Sequence, residues 1–188
     1  QRLRKELTVA PRGNENFGPP PKSFPVYLES HRKLYLPKHF GLEYFGDPVK
    51  IKVTARGDDI GLEFQGELRE KQLPAVRAFV ESCQPGRLTE RSHGGVLSLP
   101  CGYGKTIIAL YLLAQLKKKA LIIVHKEFLI TQWRERIAQF LPDARVGLIQ
   151  ASKVDIHDKD IVLGMLQSIS MKEYPADTFS SFGFTIID

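Results

Sequence analysis

The chain has 188 residues, 43% hydrophobic and 26% charged: enough apolar material for one well-buried domain with an appendage, and too little length for two large domains. The formal charge of +6 permits a polyanionic partner without demanding one. No stretch approaches about 18 uninterrupted apolar residues, and the start, Gln1-Arg2-Leu3-Arg4-Lys5-Glu6, lacks an apolar leader, so neither a membrane span nor secretion is expected. Cys83 and Cys101 have no metal-ligand spacing, which makes free thiols in a reducing, intracellular setting the expectation.

In chain order, seven of the twelve prolines precede residue 50, and Pro11 to Pro25 reads as an extended, polyproline-like arm. Residues 24–45 then carry six aromatics (Phe24, Tyr27, Tyr35, Phe40, Tyr44, Phe45) among His31, Arg32, Lys33, Lys38 and His39. That mixture suits either a stacking surface for single-stranded nucleic acid or a small core that attaches the segment to the main domain, and the core carries more weight. Strict alternation in Val49–Ala55 and Ile60–Phe64, around Arg56-Gly57-Asp58-Asp59, predicts a β-hairpin. Residues 1–66 are therefore expected to be an accessory segment. They hold 11 basic and 8 acidic side chains against 16 and 13 in residues 67–188, so neither part stands out by charge.

From Glu67 the pattern changes to an α/β one. A helix is expected from Glu67 to about Cys83, with Pro74 near its start, followed by a loop at 85–95. Apolar runs at 96–99, 120–124, 146–149, 161–163 and 184–187 then alternate with helical periods at 105–118, 127–141 and 165–171. This is the signature of βαβ units building a parallel sheet covered by helices on both faces. Leu129, Ile130, Trp133, Ile137, Phe140 and Leu141 form one apolar helical stripe, so Trp133 is read as core, and Lys117-Lys118-Lys119 as cations ending a helix.

The strongest chemical signal is Leu99-Pro100-Cys101-Gly102-Tyr103-Gly104-Lys105-Thr106, placed between an apolar run and an apolar helix. Binding a triphosphate needs backbone N–H groups aimed at it with no side chains in the way, which Gly102 and Gly104 allow. The helix starting at Lys105 turns its positive end to the same anion. Lys105 would reach the β- and γ-phosphates, and the Thr106 hydroxyl would ligate Mg²⁺. Thr185-Ile186-Ile187-Asp188 reads as an apolar, central strand ending in a carboxylate that holds the magnesium through water.

The Pro-x-Gly-x-Gly-Lys-Thr form of the loop is the one used by superfamily 2 helicases, and residues 67–188 resemble their first RecA-like domain. Within that superfamily the likeness is to the DEAH-like group of restriction-enzyme motor subunits, xeroderma pigmentosum B type helicases and helicases of large DNA viruses. Gly-Met-Leu-Gln-Ser-Ile-Ser-Met-Lys at 164–172 and the aromatic lead-in at 34–46 favour the viral members. The resemblance implies that Arg69 and Gln72, in Leu68-Arg69-Glu70-Lys71-Gln72, face the adenine of ATP. It further implies that Lys126, Gly164, Gln167 and Ser168 contact a nucleic-acid backbone, with backbone amides standing in for the threonine the family places where Met165 stands. DNA is expected rather than RNA, and a second RecA-like domain in the parent chain is the implied partner. The glutamate expected after Asp188 and the arginine fingers of the second domain lie outside these residues. The 188-residue polypeptide is therefore expected to hold Mg·ATP and hydrolyse it negligibly, since an arginine finger alone is worth about 10³ to 10⁵ in rate. The other classes compatible with the sequence are a P-loop small-molecule or nucleotide kinase and a non-catalytic binding module.

Overall fold

The computed structural model describes residues 1–11, 21–50, 57–83, 94–175 and 177–188, and it divides into two compact units, Gln1–Lys52 and Val53–Asp188. The first unit contains α1 (Arg2–Glu6), β1 (Thr8–Val9), β2 (Phe24–Pro25), β3 (Leu28–Ser30), β4 (Lys33–Tyr35) and α2 (Lys38–Phe45). β1 pairs antiparallel with β2, and β3 with β4 in a small hairpin whose register sets Leu28 opposite Tyr35. Most of the expected polyproline arm, residues 12–20, lies outside the described residues; its end, Phe24-Pro25, is a strand. Of the described residues here only Leu7 is buried, so the six aromatics do not form the small core that carried more weight in the sequence.

The units part at Lys52/Val53 rather than at residue 66, because Ile60 and Leu62 are buried in the core of the second unit. Ile60 donates its N–H to the Lys117 carbonyl (3.0 Å), Gln65 donates to that of Phe140 (2.8 Å), and Asp59 forms an isolated bridge to Lys118. The alternation at 60–64 thus reports one apolar edge lying on the main core. The other arm of the expected hairpin, at 51–55, lies outside the described residues.

The second unit runs through a 3₁₀ turn at Glu70–Gln72, α3 (Leu73–Ser82), α4 (Lys105–Leu116), β5 (Ala120–Val124), α5 (Glu127–Phe140), β6 (Val146–Gln150), β7 (Lys153–Asp155), β8 (Ile161–Met165), α6 (Leu166–Ser170) and β9 (Phe184–Ile187). Pro74 sits in the first turn of α3, where its missing N–H costs nothing. The strands form one sheet in the order β7-β6-β8-β5-β9, parallel except for the β6–β7 pair. β7 was not expected; it is three residues long, and no periodicity is legible at that length.

Alternate residues of each strand face opposite layers. Ala120, Ile122, Val124, Ile161 and Leu163 pack with Leu110 and Leu113 of α4 and with Ile130, Trp133 and Ile137 of α5. Leu121 and Val162 face the other way, toward Ile169 of α6 and Tyr174, Phe179 and Phe182 of the segment before β9. On its outer side α4 buries Ile108 and Leu112 against Val76 of α3. Being apolar all round suits α4 to this central place.

The run at 96–99 is not a strand. Strand geometry needs a ladder partner, and residues 94–100 have none among the described residues. Instead Leu97 and Leu99 pack into the α3–α4 cluster, while Val96 stands 94% exposed. The three lysines after α4 also differ from one another. Lys117 caps the helix in the left-handed conformation, Lys118 pairs with Asp59 (2.6 Å), and Lys119 is buried, its Nζ donating to the Ile156 carbonyl (2.8 Å).

Candidate functional site

Residues 101–104 form a turn into α4. Gly102 and Gly104 have φ of 73° and 86°, the left-handed region in which a side chain is strained. Gly104 is the N-cap of α4, and no side chain caps that helix, so its first N–H groups face the loop. A Cβ on Gly104 would stand 2.5 Å from the amide nitrogen of Gln72, so a side chain there would displace that amide as well as strain the backbone. Lys105 begins the helix, exposed, and its Nζ reaches back to the carbonyls of Leu99 (2.9 Å) and Pro100 (3.1 Å). The ammonium therefore lies across the loop that it encloses, beside exposed Pro100 and Cys101, with Thr106 half-buried one residue on. Uncapped helix donors, two left-handed glycines and one lysine fit a phosphate chain.

The turn at 69–72 holds this loop from behind. Gln72 is 2% exposed; its Oε1 accepts from the Arg69 N–H (2.8 Å) and its Nε2 donates to the Tyr103 carbonyl (2.9 Å). The Tyr103 hydroxyl donates to the Lys71 carbonyl, and the Lys71 ammonium sits 5.1 Å from the centre of the Tyr103 ring. Three contacts thus join one P-loop residue to the segment expected to face the base. The sequence placed Tyr103, with Pro100 and Cys101, among the nucleotide-binding positions of the loop and did not show it as a strut, for which an aromatic between two glycines was the available sign.

The remaining expected residues lie near the carboxyl ends of the parallel strands, where such sheets bind ligands. Asp188 follows β9, which lies at the edge of the sheet among the described residues, with Ile187 79% exposed, rather than centrally as its apolar run suggested. The Asp188 N–H donates to the Ile123 carbonyl (3.0 Å) and its Oδ2 accepts from the indole N–H of buried Trp133 (2.9 Å). Trp133 is core, as its helical stripe indicated, and it also aims the carboxylate; a lone tryptophan in a core stripe needs such an acceptor. α4, which carries Thr106, lies against β9. Lys126 is the exposed N-cap of α5 after β5. Gln167, in α6 after β8, donates from Nε2 to the His125 carbonyl (3.1 Å) and ties these two strand ends together. Ser168 accepts the Ala151 N–H on its Oγ (2.9 Å) and the Tyr174 hydroxyl on its carbonyl (2.8 Å).

Gly164 departs from expectation. It is buried inside β8, flanked by Ile123 and Ile149, rather than lying in the loop beyond the strand. Its lack of a side chain makes room for Ile169, whose Cδ1 would be 2.5 Å from a Cβ there. The strand-to-helix transition begins at Met165, so Gly164 serves packing and is not on the surface.

A mostly parallel sheet, a glycine loop at the head of a buried helix and a carboxylate beyond a neighbouring strand define a RecA-like P-loop domain. The family described as type III restriction enzyme, res subunit, matches residues 65–188, and the chain belongs to it. A protein of Acanthamoeba polyphaga mimivirus, named as an ATP-dependent RNA helicase, is 31% identical over 190 residues, covering 99% of this chain and 35% of its own length. A Sulfurisphaera tokodaii protein named as a DNA 3′-5′ translocase is 39% identical over 83 residues, covering 44% of this chain and 16% of that one. Among solved structures, the Sulfolobus solfataricus SWI2/SNF2 ATPase core in complex with dsDNA shares the fold, with a TM-score of 0.50 and 19% identity over 71% of this chain and 28% of that one. This chain therefore spans about a third of the mimivirus relative's length. No helix among the described residues is long and apolar enough to cross a membrane.

Proposed function

We propose that this chain is the nucleotide-binding part of an ATP-dependent helicase or translocase of superfamily 2, in its DEAH-like group, acting inside the cell. The observation that carries the reading is the loop 101–104, with Gly102 and Gly104 left-handed before an uncapped α4 and the Lys105 ammonium held across it. In this reading the backbone N–H groups at the head of α4 receive the β-phosphate. Lys105 exchanges the Leu99 and Pro100 carbonyls for β- and γ-phosphate oxygens. Thr106, and Asp188 through water, would hold Mg²⁺, which would supply charge neutralisation along the phosphate chain. The Trp133 indole keeps Asp188 oriented for that work.

Gln72 reads the adenine edge. An amide carries two N–H groups and two carbonyl lone pairs, and one of each is used in the protein. One donor and one acceptor remain for the base, but Gln72 is 2% exposed, so in this reading the turn at 69–72, which Arg69 opens, shifts to present them. Along the carboxyl edge, Lys126, Gln167 and Ser168 contribute to a nucleic-acid track completed by a second RecA-like domain. DNA is favoured over RNA by the translocase likeness, although the mimivirus relative is named for RNA.

Isothermal titration of the 188-residue protein with Mg·ATP tests the reading. Saturable binding that Lys105→Ala weakens about 100-fold is expected, since charged hydrogen bonds are worth about 1.5–3 kcal/mol each. Binding insensitive to Lys105→Ala would overturn it, and equal affinity for GTP would remove the role of Gln72.

A further inference from the structure

The division at Lys52/Val53 redistributes the charge. Residues 1–52 hold ten Lys and Arg against five Asp and Glu, leaving seventeen and sixteen to residues 53–188, so a surplus of five of the net +6 belongs to the small first unit. A boundary at residue 66 would add Arg56, Asp58, Asp59 and Glu63 to the first part and leave both parts with equal surpluses of three. Of the five acids, Glu29 is already engaged by Arg4, which holds its carboxyl below the usual range.

The same unit leaves four of its described aromatic rings exposed to water, those of Phe24, Tyr35, Tyr44 and Phe45. Tyr35 is 53% exposed, Tyr44 42% and Phe45 60%. On α2, Phe40 and Tyr44 stack with centroids 5.6 Å apart and Phe45 tilts against Tyr44 at 4.9 Å, while α2 itself buries nothing. On the β3–β4 hairpin, Tyr35 and Leu28 share a face with Lys33, next to exposed Arg32 at the turn. Lys38 opens α2, also exposed. Single exposed apolar residues are ordinary, but ring clusters interleaved with cations on a unit without a core are not explained by its folding.

We infer that the first unit is a docking surface for single-stranded nucleic acid, with Tyr35, Tyr44 and Phe45 stacking on unpaired bases and Arg32, Lys33 and Lys38 meeting phosphates. Flat rings among cations suit a ligand with both π-faces and regular negative charge, which a single strand presents and a duplex, its bases already stacked, does not. The surface belongs to the first unit alone, and its binding is expected without nucleotide.

The test is fluorescence anisotropy on the whole 188-residue protein without nucleotide or magnesium. The probes are end-labelled oligothymidylate and oligouridylate of about 20 residues and a duplex of the same length. Expected is a preference of about tenfold or more for single strands, with Tyr35→Ala and Tyr44→Ala each weakening binding about five- to hundredfold. Tyr35→Phe and Tyr44→Phe keep it within about twofold, since the ring and not the hydroxyl stacks. Arg32→Gln, Lys33→Gln and Lys38→Gln each reduce the slope of log affinity against log salt by about 0.7. Equal affinity for the duplex overturns the inference. So does equal affinity for an acidic peptide, or alanine variants that bind as the parent does while Lys126→Ala does not. The tyrosine variants retain Mg·ATP binding, which separates loss of stacking from loss of fold. Single-strand binding by a protein that fails to bind ATP would remove the proposed function and leave this inference standing.

Discussion

The two units differ in burial and in charge in a way composition alone does not show. Among the described residues the second unit holds every buried side chain except Leu7; over their full sequences the second unit carries a surplus of one positive charge and the first a surplus of five. A layered sheet positions groups to fractions of an ångström, as chemistry on a phosphate chain demands. A thin, basic, aromatic unit suits contact with a long, adaptable anion, where charge and flat surface matter more than fixed geometry.

The contrast can be broken most directly in the cores. Leu113→Ala, at a fully buried position of α4, is expected to cost about 2–5 kcal/mol in urea unfolding, whereas Tyr35→Ala changes stability by no more than about 0.5 kcal/mol. A comparable loss from Tyr35→Ala would mean that the first unit has a core after all.

Ion pairs sharpen the comparison next. In the second unit Asp160 is buried and accepts three hydrogen bonds from Arg145, two from the guanidinium (2.7 and 3.0 Å) and one from the backbone N–H (2.9 Å). The guanidinium bonds hold its carboxyl below the usual range against the opposing effect of burial. A carboxylate with a depressed folded pKa contributes stability that is present above its unfolded pKa and lost as pH falls through the folded one. Asp160→Asn should therefore cost about 1–3 kcal/mol at neutral pH and flatten the acid limb of the stability profile below about pH 4. The Arg4–Glu29 pair of the first unit shows the same pKa directions but is solvent-exposed, so Glu29→Gln should leave the melting temperature nearly unchanged.

The smallest expected effect lies within the site. Tyr103→Phe removes only the hydroxyl bond to the Lys71 carbonyl and should weaken Mg·ATP binding by about 0.5–1.5 kcal/mol, a few-fold, with no change in oligonucleotide binding. Loss of both would show the P-loop and the first unit to be coupled rather than separate.

The second unit was legible wherever periodicity ran long enough. α4, α5, β5 and β9 stand within two residues of their expected bounds, since a helix of three turns or a four-residue apolar run contains its own signal. The P-loop was legible because its chemistry depends on residue types at fixed spacing. Other features failed for one reason: their outcome depended on partners far away in sequence. The run at 96–99 looks like a strand but has no ladder partner among the described residues; Gly164 looks like a loop glycine but makes room for Ile169; the alternation at 60–64 looks like half a hairpin but lies along the main core.

Length, composition and the Gly-x-Gly-Lys-Thr motif by themselves determined an α/β domain built to hold a phosphate chain, because backbone conformation and local spacing are properties of neighbours in the chain. Tertiary structure alone decided that Gln72 and Tyr103 brace one another and that Trp133 orients Asp188. It also decided that the positive surplus belongs to the first 52 residues, since burial, hydrogen-bond partners and domain limits come from contacts between distant residues.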